Sequence, residues 1–290
     1  VSPGDRLTAW QEADGIRPLA PHEFEQIRQL ARRTFGLDLK AGKEELVSSR
    51  LRKLVRDGGF RSFHDYYRHI VDEPSGLALA TMIDALATNH TSFNREPAHF
   101  DFLCSEVVPH LRPHEPVEIW TAACSTGEEV WTLAAVLNEA FPGRPVHLTA
   151  TDISNRALRF AECAVYSADH CQSIPQRWLS QYFEPADTAG GRGWRVNSRL
   201  RSQATFRRVN LVERYSWPRR FPIIFCRNVM IYFDNETQTE VVRQLAEWLE
   251  PGGYLFVGHA ESLTRISHPL EYVRPAVYRK PAQRENRWRR

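Results

Sequence analysis

Between Trp120 and Glu129 an apolar strand pattern passes through a turn of small residues directly into a helical pattern, and few folds accommodate that junction. Val117, Ile119, Trp120, Ala122 and Ala123 read as a buried strand. Val130, Trp131, Leu133, Ala134, Val136 and Leu137 then recur at helical spacing. Such a unit belongs to an open parallel sheet, whose ligands bind in the crevice beyond the carboxyl ends of the strands. Ser125 and Glu128 also fit a Ser-x-x-Glu capping box, which satisfies amides at a helix start and needs no ligand.

A second strand pattern, Val146 to Thr151, ends in Asp152, twenty-five positions after Gly127. A carboxylate there can accept both hydroxyls of an adenosine ribose, as in dinucleotide-binding sheets. Asp152 or Ser154 can equally cap the helix of Arg156, Ala157, Leu158 and Phe160, and both roles are compatible. The first turn has one glycine, Gly127, where the dinucleotide fingerprint needs three to bring backbone onto a pyrophosphate. A phosphate-free nucleoside fits better. S-adenosylmethionine is one, and Glu128 and Glu129 would repel phosphates while attracting its ammonium or sulfonium. Acids in a first helical turn also complement the helix dipole, so one of the pair needs no ligand to explain it.

Five segments resemble the CheR-type chemotaxis receptor methyltransferases, in that family's order and at similar spacing. They are Thr88-Asn89-His90-Thr91-Ser92-Phe93-Asn94-Arg95-Glu96, Cys124-Ser125-Thr126-Gly127-Glu128-Glu129, Ala150-Thr151-Asp152-Ile153-Ser154, Val209-Asn210-Leu211, and Phe225-Cys226-Arg227-Asn228-Val229-Met230-Ile231-Tyr232-Phe233-Asp234. The stretch from Leu249 to Ser262 is similar to the family's final hairpin. Asn94 departs from the aromatic residue usual in the family, which puts local packing in question and leaves the chemistry alone.

The resemblance implies an α/β fold: a doubly wound, Rossmann-like class I S-adenosylmethionine-dependent methyltransferase sheet with a small N-terminal all-α domain and an inserted β-subdomain. It implies methyl transfer to the side-chain carboxylates of chemoreceptor glutamates, giving methyl esters for sensory adaptation, with S-adenosylhomocysteine as product. The alternative is a non-catalytic module that binds either nucleoside as a signal. By resemblance, Asn89, Thr91 and Arg95 contact the cofactor, Glu128 or Glu129 meets its ammonium, Asp152 its ribose, and Asn210 and Leu211 its adenine. Asn228 lies by the transferring methyl, and Arg95 and Tyr232 are the expected catalytic residues. Asn228 and Tyr232 could instead simply pack the end of the strand formed by Ile223, Ile224 and Phe225, but a place beyond its carboxyl end favours a functional role.

Composition agrees. A chain of 290 residues with 42% hydrophobic content exceeds the usual single domain and permits a substantial core. A formal charge of +3 gives no reason to expect a nucleic-acid partner. No apolar run approaches the roughly 20 residues that span a bilayer, and the first residues lack the basic and apolar regions of a signal peptide, so the expectation is a cytoplasmic protein without membrane insertion. A monomer is expected. The five cysteines form no Cys-x-x-Cys pair and the eleven histidines no His-Glu-x-x-His pattern, so neither a disulfide framework nor a metal is expected.

Residues 1–19 read as an arm and 20–88 as a helical domain. There Phe24, Ile27 and Leu30 space one helix, Leu46, Leu51, Leu54 and Val55 a second, and Phe63, Tyr66, Tyr67, Ile70 and Val71 a third. Residues 89–116 read as a linker carrying cofactor contacts, 117–280 as the methyltransferase domain with a hairpin inserted at about 173–206, and 281–290 as a basic tail. In some members of the family the inserted β-subdomain holds a receptor's C-terminal peptide, and this sequence leaves that open. Arg50, Arg52, Lys53 and Arg56 lie on the second helical pattern; a charge run there is ordinarily a solvated face. The helical bundle of a methyl-accepting receptor, with its acidic stripe, is the partner the resemblance implies for them.

Overall fold

The computed structural model describes residues 15–87 and 89–282. Most of the expected arm and all but two residues of the expected basic tail therefore lie outside the described residues. The chain divides into two compact units, Val1–Thr88 and Asn89–Arg290. No helix among the described residues is long and apolar enough to cross a membrane.

Among the described residues the first unit holds four helices: α1 (Pro21–Phe35), α2 (Glu44–Asp57), α3 (Phe63–Asp72) and α4 (Leu77–Leu86). Pro21 opens α1 and Gly36, in the left-handed region, closes it. Glu23, although buried, accepts from the backbone amides of Ala20 at 2.8 Å and His64 at 2.9 Å, so one carboxylate satisfies donors at the starts of α1 and α3. The core takes Phe24, Ile27 and Leu30 from α1, Val47, Leu51 and Val55 from α2, Phe63, Tyr66 and Ile70 from α3, and Met82, Ile83 and Leu86 from α4. Leu46 and Val71, assigned to apolar faces by spacing, are exposed. The fourth helix is not separable by periodicity, because Leu77 to Leu86 is apolar nearly all round.

In the second unit a seven-stranded sheet is built from β1 (Val117–Ala122), β2 (Val146–Asp152), β6 (Ala204–Arg208), β7 (Phe221–Cys226), β8 (Leu249–Val257), β9 (Glu271–Arg274) and β10 (Val277–Arg279). Its order is β6-β2-β1-β7-β8-β10-β9. The first five are parallel; β10 pairs antiparallel with β8 and β9 with β10. The order reverses at β1, so the crevice opens between the carboxyl ends of β1 and β7, at the switch point where doubly wound sheets bind ligands. Both faces of the sheet are covered, which explains the continuous apolar strands. Ile119, Ile223 and Phe256 face one core with α6 (Glu128–Ala140), and Trp120, Ile224 and Leu255 face another with the helix Asn235–Trp248.

Three expectations are corrected. Residues 89–116 are no linker: Ala98–Phe102 forms α5, which continues through a π turn, and Phe93, Phe100, Leu103, Val107 and Val108 are buried in the core of the sheet domain. The insertion is a three-stranded antiparallel sheet, not a hairpin, of β3 (Val165–Ser167), β4 (Phe183–Thr188) and β5 (Gly191–Val196) in the order β3-β5-β4; the stretch after Ala204 is β6 of the main sheet. Leu249 to Val257 is the fifth parallel strand, and the terminal hairpin lies later, at β9 and β10. Gly253 is needed there because a Cβ would come within 2.8 Å of the Pro222 carbonyl oxygen.

Candidate functional site

The turn after β1 is shaped by backbone before any side chain acts. Ala123 and Ser125 have φ of 64° and 51°, and Gly127, at φ 93°, is the N-cap of α6. No Ser125–Glu128 capping box forms, because Gly127 and not Ser125 is the residue before the helix. A Cβ on Gly127 would meet the Ala161 Cβ at 2.8 Å and the Tyr166 hydroxyl at 3.0 Å. Tyr166 donates to the Thr126 carbonyl at 2.6 Å and so anchors the turn from β3.

Asp152 ends β2 beside this turn. Its Oδ2 accepts from the Ser125 amide at 2.8 Å and its Oδ1 from the Ser154 amide at 2.9 Å. Ser154, whose hydroxyl accepts from the Ala157 amide, is the cap of α7 (Asn155–Cys163). Asp152 is thus a brace between the turn after β1 and the turn after β2. Asn210 and Leu211 follow β6. The Asn210 amide donates to Glu213 at 2.8 Å and its carbonyl oxygen accepts from Val212, so the side chain is oriented from within its own loop.

The two acids of α6 differ. Glu128 is 3% exposed, accepts from the Thr126 hydroxyl at 2.7 Å, and is pushed up by burial, which that hydrogen bond only partly offsets. Glu129 instead accepts from the Arg227 guanidinium at 2.9 Å. Burial raises its carboxyl as well, against the pull of Arg227.

Arg227, at the end of β7, organises the centre of the crevice. Its side chain is 2% exposed and contacts Glu129, Glu96 at 2.9 Å, and the carbonyl of Arg95 at 2.6 Å. Burial works against ionisation of Glu96, but the hydrogen bond and charge of Arg227 outweigh it and hold the carboxyl below its ordinary value. One buried guanidinium thus serves two carboxylates, the pairing that burial of charge requires. Asn228 follows at φ 59°; its amide donates to Glu261 at 2.7 Å and its side chain to Glu96 at 3.3 Å. Glu261 also accepts from Gly258 at 2.7 Å and Ile231 at 3.2 Å, fixing the turn that leads to Tyr232 on Met230–Tyr232.

From the other side, Asn89 accepts from the Ser125 hydroxyl through its carbonyl at 3.2 Å, and Arg95 donates to the His90 carbonyl at 3.1 Å. Thr91 is half-buried on the same segment. Asn94, at φ 55°, sits where a short polar side chain tolerates the left-handed region better than a bulky one, and its amide donates to Thr132. The fold therefore gathers Asn89, Arg95, Glu129, Asp152 and Asn228 around one crevice through shared partners. Sequence reasoning gives Arg227, Glu96 and Glu261 no role. All three stand inside stretches that resemble the family, Glu261 in the one from Leu249 to Ser262.

Of the four basic residues on α2, two hold the fold. Arg50 donates to the Leu86 carbonyl at 2.5 Å and Arg52 to that of Ile16 at 3.3 Å, while Lys53 and Arg56 are exposed. The expected basic face is reduced accordingly.

A doubly wound sheet with this switch point, one glycine in its first turn and an acid at the end of its second strand fits the class of S-adenosylmethionine-dependent methyltransferases. The family description "CheR methyltransferase, SAM binding domain" matches residues 89–278, and "CheR methyltransferase, all-alpha domain" matches residues 22–87. The chain belongs to the CheR methyltransferase family. It is 36% identical to chemotaxis protein methyltransferase 2 of Pseudomonas aeruginosa over 88% of this chain and 92% of that protein. It is 33% identical to the chemotaxis protein methyltransferase of Borreliella burgdorferi over 89% and 94%, and 34% identical to that of Klebsiella aerogenes over 90% of each.

Proposed function

We propose that this protein methylates glutamate side chains of chemoreceptors, giving glutamate methyl esters. The observation that supports the reading is the Arg227-centred cluster, which joins Glu129 of α6 to Glu96 and through Glu96 to the Asn228 side chain, in a member of the CheR methyltransferase family. The residues fit the cofactor: carboxylates, amides and a guanidinium suit a nucleoside with an amino-acid tail, and the first turn has a single glycine. Glu129 takes the ammonium, Asp152 the ribose, and Asn210 with Leu211 the adenine, while Asn89, Thr91 and Arg95 close over it. Glu128 is committed to its own turn.

When bound, S-adenosylmethionine supplies an electrophilic methyl group on a sulfonium sulfur. A substrate glutamate, with an ordinary pKa of about 4.3, is already ionised at neutral pH, so no general base is needed. Arg95 and Tyr232 orient the carboxylate, and Asn228 lies by the transferring methyl. Methylation cancels the charge of the carboxylate, so these contacts must align it without trapping it. Tyr232→Phe is therefore expected to slow methylation by roughly tenfold or more while the dissociation constant of the cofactor moves far less. Calorimetry beside single-turnover rates checks the split, and a wild-type rate in the variant would make the hydroxyl structural.

The direct test incubates the protein with methyl-labelled cofactor and membranes bearing chemoreceptors, then measures base-labile release of label. Label on receptor glutamates is expected. Cofactor binding with no labelled receptor would leave only a nucleoside-binding module. For the partner, the helical bundle of the receptor, the exposed pair on α2 supplies the probe: Lys53→Glu with Arg56→Glu should lower receptor methylation and leave cofactor affinity intact. The deficit should shrink as salt rises, since exposed charges are screened over about 10 Å at 0.1 M ionic strength. Equal methylation by both proteins at low salt would reduce the pair to a solvated face.

A further inference from the structure

The geometry points to a divalent transition-metal site at Glu96, His99 and His259, on the rim of the crevice and able to inhibit it. One ligand atom from each lies within 4.8 Å of the others, and the two imidazole rings meet edge to face with centroids 4.8 Å apart. His99 is 2% exposed, yet neither of its ring nitrogens has a hydrogen-bond partner; the nearest acceptor, Glu96 Oε2, is 3.4 Å from Nδ1. A buried imidazole left unsatisfied beside a carboxylate and a second imidazole lacks only a metal. Its neighbour Phe256, at 5.7 Å, offers it nothing polar.

Two imidazoles and a carboxylate are the donor set of open zinc sites, with a fourth position left for water. Bonds of about 2.0–2.2 Å require the donors to draw together by an ångström or more. His259 can supply that movement, because it is exposed on the turn after β8. Arg227 opposes a nearby cation, but its charge is already shared between Glu96 Oε2 and Glu129. Glu96 Oε1 is the loosely held oxygen, with contacts of 3.3 Å from the Asn228 side chain and 3.3 Å from the His259 amide. A metal taking Oε1 releases the Asn228 side chain. Inhibition follows if Asn228 lies by the reacting methyl, so this arm rests on the proposed function whereas binding does not.

The full chain, stripped with chelator, is titrated with zinc by calorimetry and with cobalt by absorption, both without cofactor. One site per chain is expected, with nitrogen and oxygen ligand-field bands and no thiolate charge transfer. His259→Ala, which alters an exposed side chain, should weaken it roughly tenfold or more. Zinc should also slow receptor methylation by the wild type, reversibly with chelator, and slow His259→Ala less. Equal zinc affinity in wild type and His259→Ala, or cobalt bands from thiolate alone, would overturn the site. Tight, His259-dependent binding with no effect on rate would overturn the inhibitory arm. A wild type that binds zinc but never labels a receptor would fail the proposed function and leave the metal site standing.

Discussion

Arg227→Ala is expected to cost about 3–5 kcal/mol of unfolding free energy at neutral pH, the penalty for leaving buried carboxylates without their counter-charge. Glu96 and Glu129 would then face each other with no cation between them. Their folded-state pKa values should rise, so the unfolded chain would hold fewer protons than the folded one and stability should recover as pH falls. The wild type behaves in the opposite sense at Glu96, whose lowered carboxyl stabilises the fold above the ordinary carboxylate range and loses that contribution as pH drops below it. Urea unfolding at two pH values checks both signs. Cofactor affinity should fall together with stability, because the Arg95 carbonyl loses its donor and Glu96, which holds the Asn228 side chain, loses its counter-charge. Arg227→Lys should rescue only in part, since an ammonium cannot reproduce the planar fork that reaches two carboxylates and a carbonyl. A variant as stable as the wild type would show that the cluster contributes nothing to folding.

Gly127→Ala should cost about 2–4 kcal/mol and abolish cofactor binding, for two separable reasons. An L residue at φ 93° is strained, and its Cβ would press into Ala161 and Tyr166. Gly143 provides the control. It has φ 83°, and a Cβ there would meet nothing within 4 Å, so Gly143→Ala carries the conformational cost alone. The difference between the two unfolding free energies measures the steric part, and equal values would mean that the turn after β1 yields freely.

The strands and the first turn are legible in the sequence because their chemistry is local. Ile119 and Trp120 on β1, and Ile223 to Phe225 on β7, are apolar on successive positions, which only a sheet buried on both faces requires. Gly127 and Asp152 stand out by position relative to those strands. The expected linker at 89–116 fails because its buried residues, Phe93, Phe100, Leu103, Val107 and Val108, are spread over a short helix, a π turn and irregular chain, with no single period to detect. Arg50 and Arg52 escape a linear reading for a related reason. A charged residue on a helix reads as solvated, and its reach to a distant carbonyl, thirty-six positions away in both cases, leaves no trace in spacing.

By itself, then, the sequence determined the parallel strands and the crevice beyond their carboxyl ends, since hydrophobic period, turn chemistry and chain order are properties of neighbouring positions. Tertiary structure alone decided how that crevice is charged. Arg227 meets Glu129 across 98 positions and Glu96 across 131, and Glu261 holds the Asn228 amide across 33. Arg227, Glu96 and Glu261 are ionisable residues to which the linear reading gives no role. Only the closure of the sheet domain removes these groups from water, and burial is what makes each carboxylate depend on its partner.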